Sequence, residues 1–387
     1  MSDPIRIANC SGFYGDRLSA AKEMVEGGPI DVLTGDWLAE LTMLILARSQ
    51  ASRPGGGYAR SFVTQMEQVM VTCLEKGIKV VSNAGGLDPA GCAAAVAEVA
   101  DRLGLKPTIA YVDGDNLLPR LGELVASGVD LAHFETGEPI GDTSRFISAN
   151  AYLGCWGIVD ALDRGADIVI TGRVTDAAVV CGPAAWHHRW ARDDWDRLAG
   201  AVVAGHIIEC GTQATGGNYS FFTEVPGMTR VGFPWAEVAA DGSCVIGKHD
   251  GTGGEVSVGT VTSQLLYEIG SPAYLGPDVT ARFDTIRLEQ VARDRVVSQP
   301  ARIVVIDQKR MRRRARSDAP KIGQHVRLPL RVADSSQPQE EQKREQEARE
   351  ATFIGMTRRC GFSRSFHGFQ ITFPFLSQLV GRPQLRP

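Results

Sequence analysis

Short apolar runs alternate with amphipathic stretches along the first 210 residues of the chain. Each apolar run ends near Gly, Asn, Asp or Ser, and the stretch that follows repeats its apolar residues at the spacing of a helix. The runs predict five strands, at residues 5–8, 30–33, 78–82, 108–112 and 167–171. Strands separated by helices are typical of βαβ units. We therefore expect an α/β fold with a mostly parallel sheet and helices on both faces.

A closed (β/α) barrel is the alternative arrangement of the same elements. A barrel needs eight strand–helix units, whereas five are evident here, so the open sheet is favoured. In both arrangements the carboxyl ends of the parallel strands lie at one edge, where ligands bind. The loops at that edge are therefore the first place to look for a functional site.

Apolar spacing also predicts which helix faces are buried. The second helical stretch has a predicted inward face of Trp37, Leu41, Leu44 and Ile45, spaced at i, i+4, i+7 and i+8. The next helix has a predicted inward face of Phe62, Met66, Val69, Met70 and Cys73. Asp88 followed by Pro89 is typical of a helix N-cap and first turn.

The alternating pattern changes near residue 226. Two short apolar runs separated by Asp241-Gly242 predict a hairpin with a type I′ turn, and a further strand is predicted at residues 281–288. We predict an α/β ligand-binding domain at residues 1–225 and a small α+β domain, complete or truncated, at residues 226–290.

Charge divides the chain near residue 290. Residues 1–290 carry 21 Lys and Arg against 36 Asp and Glu, whereas residues 291–387 carry 20 against 9. This basic, Arg- and Gln-rich tail includes an arginine run at residues 309–316, which cannot bury apolar surface. We expect the tail to be disordered or the product of a shifted reading frame. Because a basic run without a binding fold is weak evidence, no nucleic-acid partner is expected.

The eight cysteines show no CxxC spacing, so neither a zinc site nor a disulfide framework is expected. The N-terminal sequence MSDPIRIANC lacks the features of a signal peptide, and no apolar run approaches membrane-spanning length. We therefore expect reduced thiols, a cytoplasmic location and no membrane partner.

Polar side chains follow the predicted strands directly, and we predict five of them as catalytic or substrate-binding residues. They are Asp36, Asn83, Asp113, Asp115 and Arg173. Carboxylates that meet at one edge of a sheet also suit a divalent cation, so a metal is an open alternative. The structural alternatives are helix N-capping for each aspartate and an ion pair between Arg173 and Asp176.

Glycines in the same loops would let the backbone approach a phosphate, such as the pyrophosphate of CoA. The predicted cofactor-binding residues are Gly12, Gly35, Gly85, Gly86, Gly172, Gly216 and Gly217. Tight turns between strand and helix need glycine equally, and this alternative stays open. Residues 242–249 nearly spell a phosphate-binding loop, but they end in His and lie in a predicted hairpin, so we expect a chance match.

Two further residues have competing interpretations. Cys10 follows the first strand, where a helix N-terminus could lower the pKa of a nucleophilic thiol. A small buried filler is the more common fate of a free cysteine. His206 shares a helix face with Trp195 and Val202, so we expect a core or helix-end residue there.

Several loop motifs, in order, resemble signatures of the acyclic terpene utilisation (AtuA) family. They are IANCSGFYGDR at 7–17, LTGDWLAE at 33–40, SNAGGLDP at 82–89, YVDGD at 111–115, ANAYLG at 149–154, TGRVTD at 171–176, IECGTQATGG at 208–217, GFPWAE at 232–237 and GSPAYLGPD at 270–278. The resemblance ends near residue 291.

The resemblance implies a role in the breakdown of acyclic terpenes such as citronellol and geraniol, a pathway that runs through CoA thioesters. It implies a branched acyl-CoA or related acid as substrate, and a lyase or hydrolase reaction as the candidate chemistry. An acyl-CoA carboxylase-type protein is the implied partner. The alternative is a non-catalytic subunit or scaffold of a CoA-dependent carboxylase or lyase complex. Both are compatible with an oligomer.

Overall fold

The computed structural model describes residues 2–133, 136–267, 269–299, 330–333 and 371–373. Their arrangement is α/β, with one large sheet between two layers of helices, as the sequence predicts. None of the helices in these residues combines the length and the apolar content that a membrane span needs.

Five neighbouring strands of the large sheet are parallel, and each corresponds to a strand predicted from the sequence. The strands of the first half of the chain are β1 (Ile5–Asn9), β2 (Val32–Gly35), β3 (Lys79–Ser82), β4 (Ile109–Val112), β5 (Ala149–Ala151) and β6 (Ile168–Thr171). Their order in the sheet is β1-β2-β3-β6-β4, with β5 outside it. β6 lies between β3 and β4 and pairs in parallel with both.

Helices cover both faces of the sheet. They are α1 (Ala20–Gly27), α2 (Glu40–Ser52), α3 (Arg60–Lys76), α4 (Pro89–Arg102), α5 (Leu121–Ala126), α6 (Trp156–Asp163), α7 (Ala178–His188), α8 (Trp195–Ile208) and α9 (Val258–Leu265). Successive strand residues point to opposite faces, so Val169 packs with α6, α7 and α8, whereas Ile168 and Ile170 pack with α1 to α4.

The predicted inward face of α3 is confirmed, because all five of its residues are buried. The predicted face of α2 is wrong: Leu41 is 66% exposed and Ile45 is 44% exposed. The helix begins only at Glu40, so Trp37 lies in the preceding loop and no longer sets its rotation. The buried residues of α2 are Thr42, Met43, Leu46 and Ala47 instead.

The second half of the chain adds antiparallel strands, four of which extend the same sheet. These are β7 (Pro234–Val238), β8 (Cys244–Lys248), β9 (Ala273–Leu275), β10 (Thr280–Arg282), β11 (Arg287–Ala292) and β12 (Arg295–Gln299). β7 pairs with β1, and β8, β12 and β11 follow outward, while β9 and β10 form a separate pair. The predicted strand at residues 281–288 is wrong, because a 3-10 turn separates β10 from β11.

The predicted domain boundary at residue 225 stays a prediction, although the pairing of β7 with β1 carries the sheet across it. Two short strands follow in the tail: β13 (Leu330–Ala333) beside β4, and β14 (Ile371–Phe373) beside β5. The arginine run at residues 309–316 lies outside the described residues. The strand order of the described residues runs from β11 to β13 and shows no closed barrel.

The predicted hairpin is confirmed as β7 and β8, but the predicted type I′ turn is wrong. That turn needs a positive φ at Asp241, and the non-glycine residues with positive φ in the described chain are Arg189 and Asp294. Gly242, at φ +86°, alone supplies the left-handed conformation, and its N–H donates to the carbonyl of Ala239 at 2.9 Å. The phosphate-loop-like segment therefore lies on a strand hairpin.

The helices that follow β3 and β6 leave in opposite directions. β3 leads to α4, which packs on one face of the sheet, and β6 leads to α7, which packs on the other. Because β3 and β6 are neighbours, the region between their carboxyl ends is a topological switch point, where open α/β sheets place their ligand crevice. We call it the switch-point crevice, and its walls are the loops that begin at Asp36, Asn83 and Arg173.

Candidate functional site

Three of the predicted site residues meet at the switch-point crevice. Asp36 follows β2, Asn83 follows β3 and Arg173 follows β6, on three adjacent strands. All three are buried, with at most 5% of each residue exposed. Their convergence follows from the parallel pairing, since the three strands end at the same edge.

Asp36 and Asn83 are locked together by hydrogen bonds. The Asn83 amide Nδ2 donates to Asp36 Oδ1 at 2.6 Å, and the backbone N–H of Leu38 donates to the same oxygen at 3.1 Å. Asn83 Oδ1 accepts from the backbone N–H of Trp37 at 2.8 Å. Asp36 Oδ1 is therefore an acceptor, and Oδ2 is the oxygen that can carry a proton.

Burial raises the pKa of Asp36 well above its ordinary value, and the nearby charge of Asp176 raises it further. The guanidinium of Arg173 and the hydrogen bond from Asn83 act in the opposite direction, but they do not offset the rise. The acid form of Asp36 is thus favoured more than it is in an exposed aspartate.

Arg173 is a buried cation with a side chain that is 3% exposed. Its Nη1 donates to the carbonyl of Leu38 at 2.9 Å and lies 3.0 Å from Asp176 Oδ1, so the ion-pair alternative for Arg173 and Asp176 is confirmed. The guanidinium carbon lies 4.1 Å from the centre of the Tyr152 ring. Within the described residues, Arg173 Nε has no hydrogen-bond partner.

Tyr152 covers Arg173 and is itself tied to the start of α2. Its hydroxyl donates to Glu40 Oε1 at 2.5 Å. Burial raises the pKa of Tyr152, so the phenol stays neutral. Sequence reasoning missed Tyr152, Glu40 and Asn150 as site residues, although all three lie within family-like motifs.

Asp115 lies behind Arg173 and holds its backbone. Asp115 Oδ2 accepts the backbone N–H of Arg173 at 2.9 Å and the amide of Asn150 at 2.8 Å. Burial raises the pKa of Asp115 to about 6, and the charge of Asp113 adds to this rise. Asp113 is half-buried.

The predicted cofactor-binding glycines lie where loops pack closely against the chain itself. A Cβ on Gly85 would lie 2.5 Å from the carbonyl of Thr171, and one on Gly35 would lie 2.9 Å from Trp37 Nε1. Gly86 and Gly216 adopt positive φ. A Cβ on Gly12 would approach Cys210. A Cβ on Gly172 would approach Asp115, and one on Gly217 would approach Thr212. Close packing explains these glycines, and a phosphate contact stays a prediction.

The other candidate residues fit structural roles. Cys10 is buried with its thiol 3.6 Å from Gln65 Oε1, and burial raises the pKa of the thiol, which disfavours a nucleophilic thiolate. Asp88 caps α4 by accepting the backbone N–H of Gly91 at 2.9 Å. In the described part of the chain, no group of three or more His, Cys, Asp or Glu side chains is arranged to hold a metal ion.

A family model described as "Acyclic terpene utilisation family protein AtuA" matches residues 5–303. The chain belongs to this family. The match covers all the crevice residues and extends beyond residue 291, where the motifs seen in the sequence end. No curated protein and no solved structure matches the chain. The AtuA family thus associates the chain with acyclic terpene utilisation and leaves the chemistry to be argued from the crevice.

Proposed function

We propose that the switch-point crevice binds and transforms a branched acyl-CoA, or a related carboxylic acid, derived from an acyclic terpene. Membership of the AtuA family supports the terpene context. The observation that carries the chemical part is the buried Arg173, whose Nε has no partner within the described residues. Asp176 already compensates the charge of Arg173, so the argument rests on Nε, because a buried donor is costly to leave without an acceptor.

Arg173 is suited to bind an oxyanion of the substrate. Its Nη1 is engaged by Leu38 and Asp176, and its remaining donors form one edge of a planar fork. Such a fork binds a carboxylate with two parallel hydrogen bonds, or polarises a thioester carbonyl. The ring of Tyr152 holds the guanidinium plane in place, so little side-chain entropy is lost on binding.

In the proposed reaction, the carboxyl group of Asp36 transfers the proton. Its raised pKa favours the acid form, and Oδ1 is occupied by Asn83 and Leu38, which directs the proton to Oδ2. A neutral carboxylic acid beside a guanidinium can protonate a carbonyl or leaving-group oxygen as negative charge develops there. This pairing suits a lyase or hydrolase reaction at a carbonyl group.

Calorimetric titration of the intact chain tests the proposal, with a branched isoprenoid acyl-CoA, the free acid and free CoA as ligands. Arg173→Lys keeps the charge but loses the fork, and we expect about thirtyfold weaker binding, or ~2 kcal/mol. Arg102→Lys, at an exposed ion pair with Glu67, is the matched control and should bind as the wild type does. Equal affinity of Arg173→Lys and wild type for every ligand would refute the proposed site.

A second candidate function is a scaffold for a CoA-dependent carboxylase or lyase. The observation that favours it is a pair of exposed aromatic residues, Phe221 and Phe222, which are 58% and 54% exposed. Exposed aromatic side chains are enriched in protein interfaces. Co-purification with a carboxylase, together with no binding of any of the three ligands, would favour the scaffold over the enzyme.

A further inference from the structure

Both ends of α2 are tied to the carboxyl edge of the sheet. Just before α2 begins, the carbonyl of Leu38 accepts a hydrogen bond from Arg173 Nη1 at 2.9 Å, at the wall of the switch-point crevice. Beyond its other end, the backbone N–H of Ala59 donates to the carbonyl of Ala84 at 2.8 Å, in the loop that follows β3. The helix therefore runs along the edge where open α/β sheets bind ligands.

The length of α2 matches the length of a CoA arm. The helix has thirteen residues, so its two ends lie about 20 Å apart at the usual rise per residue. The pantetheine arm of CoA, extended with its pyrophosphate, spans a distance of the same order. A thioester group bound at Arg173 would therefore place the phosphates of CoA near the end of α2.

A stripe of exposed residues runs along α2 from the crevice. Leu41, Ile45 and Arg48 fall at i, i+4 and i+7, on one face of the helix, and all three are exposed. The opposite face buries Met43 and Leu46, so α2 is apolar on two faces. A helix that is apolar around its whole circumference is normally covered on all sides. The exposed apolar face beside the crevice thus calls for a ligand to cover it.

Three arginines and no acidic residue lie in residues 41–66, although residues 1–290 as a whole carry 36 acidic residues against 21 basic ones. The arginines are Arg48, Arg53 and Arg60, and all three are exposed. We call them the α2 arginines. In the described part of the chain none of them forms an ion pair. Their charge is therefore available to an anionic ligand.

Two of the α2 arginines are held on the turn that ends the helix. Arg53 Nε donates to Ser49 Oγ at 3.0 Å, and Arg60 Nε donates to the carbonyl of Gly55 at 3.3 Å. The turn is compact, because a Cβ on Gly56 would lie 2.4 Å from the carbonyl carbon of Ser49. Both guanidinium groups are thus anchored through Nε around one turn, and their Nη groups can donate to a phosphate.

We propose that α2 binds the CoA arm of the substrate, with the pantetheine arm along Leu41 and Ile45 and the phosphates on the α2 arginines. The inference rests on the proposed function, in which Arg173 binds the acyl end, and it narrows the substrate to an acyl-CoA. Charge favours this occupant, because guanidinium groups bind phosphates with parallel hydrogen bonds and the pantetheine arm is uncharged. A free carboxylic acid would end at the crevice and would contact neither the stripe nor the arginines.

Calorimetric titration of the intact chain tests the phosphate contacts, with two thioesters of the same branched isoprenoid acid as ligands. One is the CoA thioester and the other is the pantetheine thioester, which carries no phosphate. We expect the double variant Arg53→Gln/Arg60→Gln to bind the CoA thioester about thirtyfold more weakly than the wild type does, because two charge-assisted contacts are lost. Its affinity for the pantetheine thioester should not change. Unchanged affinity for the CoA thioester would overturn the proposal, as would an equal loss for both thioesters.

Arg164→Gln is the matched control. Arg164 is exposed and lies at the C-cap of α6, as Arg53 lies at the C-cap of α2, but it precedes the amino end of β6. This variant should bind both thioesters as the wild type does. A loss as large as that of the double variant would show a general effect of charge and would contradict a site on α2.

The path of the arm along α2 is tested with the pantetheine thioester. Leu41→Ser/Ile45→Ser removes the exposed apolar surface, and we expect about tenfold weaker binding. Leu266→Ser, at a residue that is 66% exposed like Leu41, is the control and should leave the affinity unchanged. Wild-type affinity in the Leu41/Ile45 double variant would exclude this path.

The free acid and free CoA separate a failure of this inference from a failure of the proposed function. If Arg173→Lys weakens binding of the acid while the Arg53/Arg60 double variant binds the CoA thioester normally, the inference fails and the proposed site stands. If Arg173→Lys changes no affinity while the double variant loses free CoA, the proposed site fails and the α2 arginines bind CoA without it.

Discussion

Asp115 shows how a side chain's role depends on neighbours that are distant in sequence. Its two hydrogen-bond donors, the backbone of Arg173 and the amide of Asn150, both reach the same oxygen, Oδ2. The sequence grouped Asp115 with Asp113 as a candidate for chemistry. In the structure, Asp115 instead binds the backbone N–H of Arg173 and so holds the loop that carries this residue.

The first residue-scale prediction concerns the pH dependence of stability. The folded pKa of Asp115, about 6, lies above the ordinary aspartate pKa of 3.8. Between these values the folded state binds more protons than the unfolded state, so Asp115 favours folding at low pH and this contribution is lost as pH rises towards and through 6. We expect a loss of about 1 kcal/mol between about pH 5 and about pH 7.

Asp115→Asn should abolish that part of the pH dependence, because an amide oxygen can accept both hydrogen bonds and never ionises. Urea unfolding of the wild type and the variant at the two pH values measures the difference. Asp101→Asn, on the exposed end of α4, is the control and should retain the wild-type slope. A slope in Asp115→Asn equal to that of the wild type would show that Asp115 is not the titrating group.

At the scale of single elements, predictions from sequence were confirmed where a single residue sets the local backbone geometry. Asp88 and Pro89 start α4 as expected, because a cap and a fixed φ need no tertiary partner. The face of α2 was wrong because the position of its first residue, which sets the rotation of the helix, depends on the path of the loop that contains Trp37. That loop is held by Asn83, a residue from another strand.

The element-scale prediction is that Asp88→Ala weakens α4. Loss of the N-cap leaves the N–H of Gly91 without its partner and should cost about 1 kcal/mol of the free energy of unfolding. Asp88→Asn should cost much less, since an amide oxygen caps a helix as well as a carboxylate does. Urea unfolding measures both variants, and equal losses in the two would argue against capping as the cause.

At the scale of the whole molecule, β1 joins the parallel and antiparallel halves of one sheet. It pairs with β2 on one side and with β7 on the other. Residues of β1, β2, β6, β7 and β8 all contribute to the same buried cluster with α7 and α8. Segments on both sides of residue 225 therefore share packing as well as hydrogen bonds.

The prediction at this scale is a single unfolding transition for both halves. Ile246→Ala, in the buried part of β8, should lower the free energy of unfolding by about 3 kcal/mol and move the transition as a whole. Leu266→Ala, where the side chain is 66% exposed, is the control and should have little effect. Circular dichroism and tryptophan fluorescence should report the same midpoint, and two separate midpoints would contradict the shared packing.

Sequence alone determined the elements with a local cause. Apolar runs of strand length gave the five parallel strands, helical spacing gave the buried face of α3, and parallel pairing implied that Asp36, Asn83 and Arg173 would lie at one edge. The loop motifs also indicated the AtuA family, which the match over residues 5–303 establishes.

Tertiary structure decided what depends on the order of strands and on contacts between distant segments. The insertion of β6 between β3 and β4 makes β3 and β6 neighbours, and the helices that follow these two strands pack on opposite faces of the sheet. Tertiary packing also brings Tyr152 over Arg173. Spacing along the chain cannot specify these contacts, because each depends on packing between elements that are far apart in sequence.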